Sequence, residues 1–341
     1  MHSTYRAPRW LPGGNLQTVY AAMLGRVAAS ARRARARRGP PERGAAPLRR
    51  ERWESPDEDF IDVDWLEGPA SAPLVVLFHG LEGGARSHYA VAMLERLALR
   101  GWRGAVAHFR GCSGEPNRLP RAYHSGDHEE IAWVLARFRE RAAGAPLYAA
   151  GVSLGGNALL KWLGEAGAAA CAVVDAAAAV SAPLDLMLSG DALGRGFNLV
   201  YARMFLASLK RKGAAKLAMH PGLFDARTMR RARTLRDFDN VVTAPLHGFR
   251  DTDDYWTRAS SKPGLRGVAA PTLIINALND PFVPPAALPD STEVSSMVCL
   301  EYPEEGGHCG FVSGAFPGRL EWMPRRLLAF FDAHPGSLHR P

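Results

Sequence analysis

Gly151-Val152-Ser153-Leu154-Gly155 fits the pattern G-x-S-x-G, and Gly156 follows directly. An apolar run precedes it and a helical pattern follows, the setting in which a serine sits on a sharp strand-to-helix turn with its Oγ pushed out. Small residues at Gly151 and Gly155 let neighbouring backbone pass close. The same turn puts the Leu154 N–H at a helix N-terminus, aimed at a developing oxyanion. The chemistry implied is nucleophilic attack by Ser153 on an acyl carbonyl. A serine hydroxyl is weak alone, so it needs a base, and the base needs an orienting acid.

On this kind of turn the partners follow in chain order serine, acid, histidine. Asp280 stands in Leu278-Asn279-Asp280-Pro281, just beyond one strand candidate, and His308 in Gly306-Gly307-His308, six residues beyond the next. Asp185 also follows a strand and competes for the acid. His247 precedes Asp280, and His108 and His124 precede the serine, so chain order disfavours all three as the base. They read as hydrogen-bonded structural histidines. The loop His79-Gly80-Leu81-Glu82-Gly83-Gly84 is a close cousin of the HG-type oxyanion loops of esterases, with the Leu81 N–H as second donor beside Leu154. His79, Gly80, Gly151 and Gly155 support that frame. If the loop were only a Gly-rich turn, His79 would not be required.

These residues need elements to hold them. Leu74–Phe78 (LVVLF) is a continuous apolar run, as in a strand buried on both faces. Helical spacing over 87–100, a strand at Ala105–Phe109, a helix over 126–141, a strand at Leu147–Val152, a helix over 155–165 and a strand at Ala172–Val180 follow. Thr272–Ala277 and Met297–Tyr302 are two further strands and 318–333 a closing helix. The alternation predicts an α/β protein with a mostly parallel, doubly wound sheet whose strand C-terminal ends share the ligand-binding edge. Residues of about 184–262 break the pattern, with a helical stretch over 196–211. They read as a cap or lid inserted over that edge, within one domain spanning 1–341.

The composition excludes several other classes. Of 341 residues 47% are hydrophobic and 22% charged, which suits a folded core and not a disordered chain. Four scattered cysteines form no CxxC pair, so no zinc ribbon or disulfide framework is available, and a reducing, cytoplasmic setting is expected. No metal or cofactor is called for. The net charge of +8 is concentrated in residues 26–52, which hold ten Arg and two Glu. That Arg-rich stretch, taken as a loop over 31–52, is either a basic arm for nucleic acid or anionic lipid, or a solvated connection. Without interleaved aromatics or an adjoining motif, no nucleic-acid partner is expected, and peripheral membrane contact stays open. Leu16, Val19, Tyr20, Met23, Leu24 and Val27 form a helical stripe in the N-terminal segment 1–30. It reads as a docked helix, with a transit peptide or membrane-surface helix as alternatives.

Several stretches together resemble the α/β-hydrolase superfamily and, within it, the type-4 (YheT-like) family. They are Gly13-Gly14-Asn15-Leu16-Gln17-Thr18, His79 to Gly83, Phe109-Arg110-Gly111-Cys112-Ser113-Gly114, Tyr123-His124-Ser125-Gly126, Gly151 to Asn157, Leu159 to Glu165, His247-Gly248-Phe249, and Gly306 to Phe311. The resemblance implies an α/β-hydrolase fold, the charge-relay roles for Ser153, Asp280 and His308, and a GGNLQT segment belonging to the folded unit. Asn279-Asp280 stands where the family usually has Asp-Asp, and the Arg-rich stretch lies outside the match. The expected activity is a serine hydrolase acting on a small-molecule ester, of a medium- or long-chain acyl type. Acyl transfer to an alcohol on the same residues and a non-catalytic binding module are the alternatives.

Overall fold

Leu74–Phe78 (β3) is buried along its whole length, because it lies inside an eight-stranded sheet with layers on both faces. The computed structural model describes residues 5–36 and 48–336. The other strands are β1 (Arg49–Glu54), β2 (Phe60–Leu66), β4 (Arg103–Ala107), β5 (Leu147–Val152), β6 (Ala176–Val180), β7 (Thr272–Ile275) and β8 (Val298–Glu301). Their order in the sheet is β1-β2-β4-β3-β5-β6-β7-β8. From β4 to β8 every pairing is parallel, while β1 and β2 join antiparallel at one edge.

Helices α1 (Gly14–Ala36), α2 (His88–Arg100), α3 (His128–Ala142) and α4 (Leu154–Ala166) precede a helical excursion between β6 and β7. That excursion holds α5 (Leu186–Leu193), α6 (Leu199–Met219), α7 (Ala226–Arg231), α8 (Leu235–Phe238), α9 (Ala244–Leu246) and α10 (Thr252–Ala259), and α11 (Trp322–Asp332) is the last helix among the described residues. One large apolar cluster, with Trp53, Phe78, Phe138 and Leu159, lies on one face of the sheet. A second, with Met93, Leu97, Leu327 and Phe331, lies on the other. Side chains alternate faces along a strand, so strands buried on both sides must be apolar at nearly every position.

The Arg-rich stretch differs from the expected loop. Residues 31–36 continue α1, 37–47 lie outside the described residues, and Arg49, Arg50 and Arg52 belong to β1. Alternation explains the strand: Arg50 pairs with Asp64 at 2.7 Å and Arg52 with Asp62 at 2.8 Å, each across a β1–β2 register position. Cross-strand opposite charges stabilise an antiparallel pair. Here those charges sit on a strand that the run of arginines disguised as a loop.

Helix α1 docks on the body as expected, but only part of its apolar stripe takes part: Tyr20 packs on Trp10 and its Oη donates to the Pro317 carbonyl at 2.9 Å. Gln17, Thr18 and Ala21 are buried, while Leu16, Val19 and Met23 are exposed. Gly25 permits the close crossing with α2, since a Cβ there would lie 2.3 Å from the His88 Cβ. Among the described residues no helix is long and apolar enough to cross a membrane.

Candidate active site

Ser153 stands between β5 and α4 with φ 54° and ψ −123°. Positive φ is rarely adopted by a residue with a side chain and costs on the order of 1–3 kcal/mol, which the surrounding packing must hold. The glycines of the motif make the turn feasible. A Cβ on Gly151 would come within 2.5 Å of the Gly155 carbonyl oxygen, and one on Gly155 within 2.5 Å of the Phe78 carbonyl oxygen. The Ser153 N–H donates to the Val180 carbonyl at 2.9 Å, tying the turn to β6. Asn157, one turn into α4, donates to the carbonyls of Ser125 (2.8 Å) and Ala259 (2.9 Å) and accepts from the Ser261 N–H (3.0 Å). That buried amide is fully used, and it anchors the elbow helix to the base of the inserted helices.

Asp280 and His308, 28 residues apart, meet Ser153 at the C-terminal edge of the sheet. His308 Nδ1 lies 2.9 Å from Asp280 Oδ2, and His308 Nε2 lies 2.9 Å from Ser153 Oγ. Asp280 Oδ1 also accepts the N–H groups of Phe282 (2.8 Å) and Val283 (3.2 Å), so the carboxylate is fixed before it meets the imidazole. Since an ionised carboxylate only accepts, Nδ1 carries the hydrogen and Nε2 presents its lone pair to the serine. Burial opposes the charged imidazole, but the adjacent Asp280 carboxylate outweighs it and raises the His308 pKa above its ordinary 6.5. The Phe282 ring packs on the imidazole at 4.3 Å between centroids.

The His308 loop is held from the far end of the chain. Thr18 Oγ1 accepts the His308 N–H at 2.8 Å and Gln17 Oε1 the Gly306 N–H at 2.8 Å, both from α1. Asn279 Oδ1 accepts the Gly307 N–H at 2.9 Å, while Asn279 Nδ2 donates to Gln17 Oε1 at 3.0 Å. A carboxylate at 279 could make the first bond but not the second, so asparagine suits this loop.

Leu81 and Leu154 share one property. Among the described residues neither donates its backbone N–H to any protein acceptor. Their neighbours are occupied: the Gly80 N–H donates to Tyr89 Oη (2.8 Å) and the Glu82 N–H to Tyr123 Oη (3.0 Å). A Cβ on Gly80 would lie 3.0 Å from the Ser153 Cβ, so this loop runs directly against the elbow. His79 is fully buried and bridges two loops. Its Nδ1–H donates to the Gly80 carbonyl at 2.8 Å, and its Nε2 accepts the Phe109 N–H at 3.1 Å. Burial lowers its pKa to about 3, which keeps the ring neutral in that tautomer. Tyr89, Tyr123 and Lys212 steady this loop; Tyr123 falls in one of the stretches that carry the family resemblance, but no spacing pattern marks the contact of any of the three with the loop. Tyr123 Oη donates to Glu82 Oε1 at 2.8 Å, and Lys212 of α6 pairs with the same oxygen at 2.7 Å.

The competing residues go elsewhere. Asp185 caps α5, accepting the Leu188 N–H at 3.0 Å. His108 Nε2 pairs with Asp64 at 2.8 Å. His124 and His247 pack against each other at 4.4 Å between centroids, and burial lowers both pKa values to about 3.

Two spaces meet at Ser153. An inner cavity of about 120 Å³ runs under the inserted helices, lined by Leu186, Leu193, Leu209, Phe238 and Trp256. An outer cleft of about 790 Å³ opens past α1 and α6. Ser153, Leu81, His308, Phe205 and Phe282 border both.

A family model described as the alpha/beta hydrolase fold matches residues 73–315. The chain is 42% identical over 282 residues to YheT of Escherichia coli (strain K12), provisionally named an esterase, covering 81% of this chain and 82% of that protein. It is 31% identical to the phospholipase ABHD3 of Mus musculus, covering 81% and 69%. Among solved structures, a bacterial membrane phospholipase A superposes with a TM-score of 0.55 at 18% identity, covering 93% of this chain and 96% of that one. At that identity the likeness speaks to the fold.

Proposed function

The chain belongs to the α/β-hydrolase family, in its YheT-like branch, and from that premise we propose that it is a serine hydrolase of carboxylic esters. The observation that carries the reading is the unbroken Ser153–His308–Asp280 array, with a 2.9 Å contact on either side of the imidazole. The names of relatives, an esterase and a phospholipase, support an ester as the substrate.

In the first half-reaction His308 Nε2 takes the Ser153 proton as Oγ forms a bond to the acyl carbon. The carbonyl oxygen, now an oxyanion, accepts the unused N–H groups of Leu81 and Leu154. One such donor is worth about 2.7–4 kcal/mol of transition-state stabilisation. Asp280 holds the imidazole in the correct tautomer and stabilises its cation. The Nε2–H then passes to the alcohol oxygen as its bond to the acyl carbon breaks, leaving an acyl-Ser153. In the second half-reaction His308 deprotonates water, the hydroxide adds to the acyl carbon, and Ser153 leaves with the proton. The apolar inner cavity suits the acyl chain, and the open cleft on the other side of Ser153 suits the alcohol.

Fluorophosphonate labelling followed by peptide mass spectrometry tests the nucleophile. A single phosphonylated site is expected at Ser153, absent from Ser153→Ala. An unlabelled wild-type protein, or label carried elsewhere, contradicts it.

A further inference from the structure

Helices α1 and α6 flank the outer cleft and are tied together where Tyr201 Oη donates to Asn15 Oδ1 at 3.0 Å. Each turns an apolar stripe to solvent at the same spacing of i, i+3 and i+7. These are Leu16, Val19 and Met23 on α1, and Phe197, Val200 and Met204 on α6 and the turn leading into it. All six are between 39% and 61% exposed. Helical positions at that spacing lie on one face. Val19, Met23 and Met204 also border the cleft that reaches Ser153, so both stripes stand at one mouth.

The charges on these two helices point to the occupant. Neither α1 nor α6 contains an acidic residue. Arg203 and Arg211 lie on the exposed side of α6. A homotypic interface would bring these like charges together, and a neutral apolar partner would leave them uncompensated. An anionic lipid surface meets both needs, because apolar side chains enter the acyl boundary while arginines meet the headgroups. Exposed apolar patches on a folded protein mark interaction sites, and here Val19, Met23 and Met204 line the cleft that reaches the nucleophile, with Leu16, Phe197 and Val200 further along the same two stripes.

We propose that the α1–α6 face docks the protein on anionic membrane surfaces, with the outer cleft turned toward the lipid, so that esters of membrane lipids enter from the bilayer. The lipid-ester substrate class rests on the esterase reading. The docking itself does not.

Flotation of the full chain with vesicles tests the docking without catalysis. One set contains phosphatidylcholine alone and another contains roughly one third phosphatidylglycerol. The wild type is expected to float with the anionic vesicles, and less so as salt is raised. The variant L16S/F197S/V200S changes exposed residues that do not border the inner cavity or the cleft. It should lose about fivefold or more of the bound fraction, with its thermal unfolding midpoint unchanged. R203E/R211E should lose the preference for phosphatidylglycerol, at about fivefold per arginine. A wild type that stays in solution, or variants that float as it does, overturns the proposal. A dimer by light scattering that the serine variant converts to monomer, without vesicle binding, would assign the face to a second copy instead. Floating protein that hydrolyses no ester would leave the docking standing and remove the esterase reading.

Discussion

Thr18 accepts the backbone N–H of His308 at 2.8 Å across 290 residues of chain. The loop that carries the candidate base is glycine-rich, with Gly307 at φ 61° and Cys309 at φ 56°, and such backbone stays in place only where neighbours over-determine it. The buried polar face of α1 supplies that restraint. Thr18 also donates to the Gly14 carbonyl at 2.7 Å, so its hydroxyl is oriented before it meets the loop.

Thr18→Val keeps the volume and removes both bonds. The orphaned His308 N–H should cost about 1–3 kcal/mol of stability, and kcat should fall roughly tenfold or more as the imidazole loses its position. Thr18→Ser should restore most of both. Steady-state kinetics with a soluble ester and a thermal melt read the two effects; a kcat unchanged in Thr18→Val would show that the helix does not position the base.

The acid should set the pH profile. His308 must be neutral to accept the serine proton, so kcat/KM should rise with pH as that proton leaves. Its pKa is raised by the Asp280 carboxylate against the effect of burial, which places the inflection above the ordinary 6.5. Asp280→Asn removes the charge that raises it, so the inflection should move down while kcat falls by about 10⁴ through loss of the correct tautomer. An inflection that stays where it was in the wild type would contradict the pairing.

The elbow should store strain. Ser153 holds φ 54°, a conformation glycine adopts freely and alanine does not. Ser153→Gly should therefore unfold at a higher temperature than Ser153→Ala, by about 1 kcal/mol after the extra chain entropy of glycine is counted. Equal stabilities would mean the turn is relaxed.

Much of this site was legible because its chemistry lies in short local patterns. G-x-S-x-G, the HGLEGG loop and GGH each sit at the end of an apolar strand, where alternation with helices already directs the ligand-binding edge. Two features stayed hidden for a physical reason. Strand β1 reads as part of an Arg-rich loop, because Arg50 and Arg52 find their carboxylates on β2, at Asp64 and Asp62, only once the pair has formed. Helix α1 reads as an amphipathic helix that should bury its Leu and Met residues, yet it docks through Gln17, Thr18 and Ala21. A polar side chain that serves a distant loop leaves no periodic signal. Tyr89, Tyr123 and Lys212 likewise act through single hydrogen bonds to the oxyanion loop, visible only when the chain is folded.

The central claim is an acyl-enzyme on Ser153, and pre-steady-state hydrolysis of p-nitrophenyl esters from acetate to palmitate tests it most directly. A nitrophenol burst, stoichiometric with enzyme, is expected for the chain lengths that the inner cavity accepts, with its complete loss in Ser153→Ala. Equal background rates for the wild type and Ser153→Ala across the whole series would contradict it.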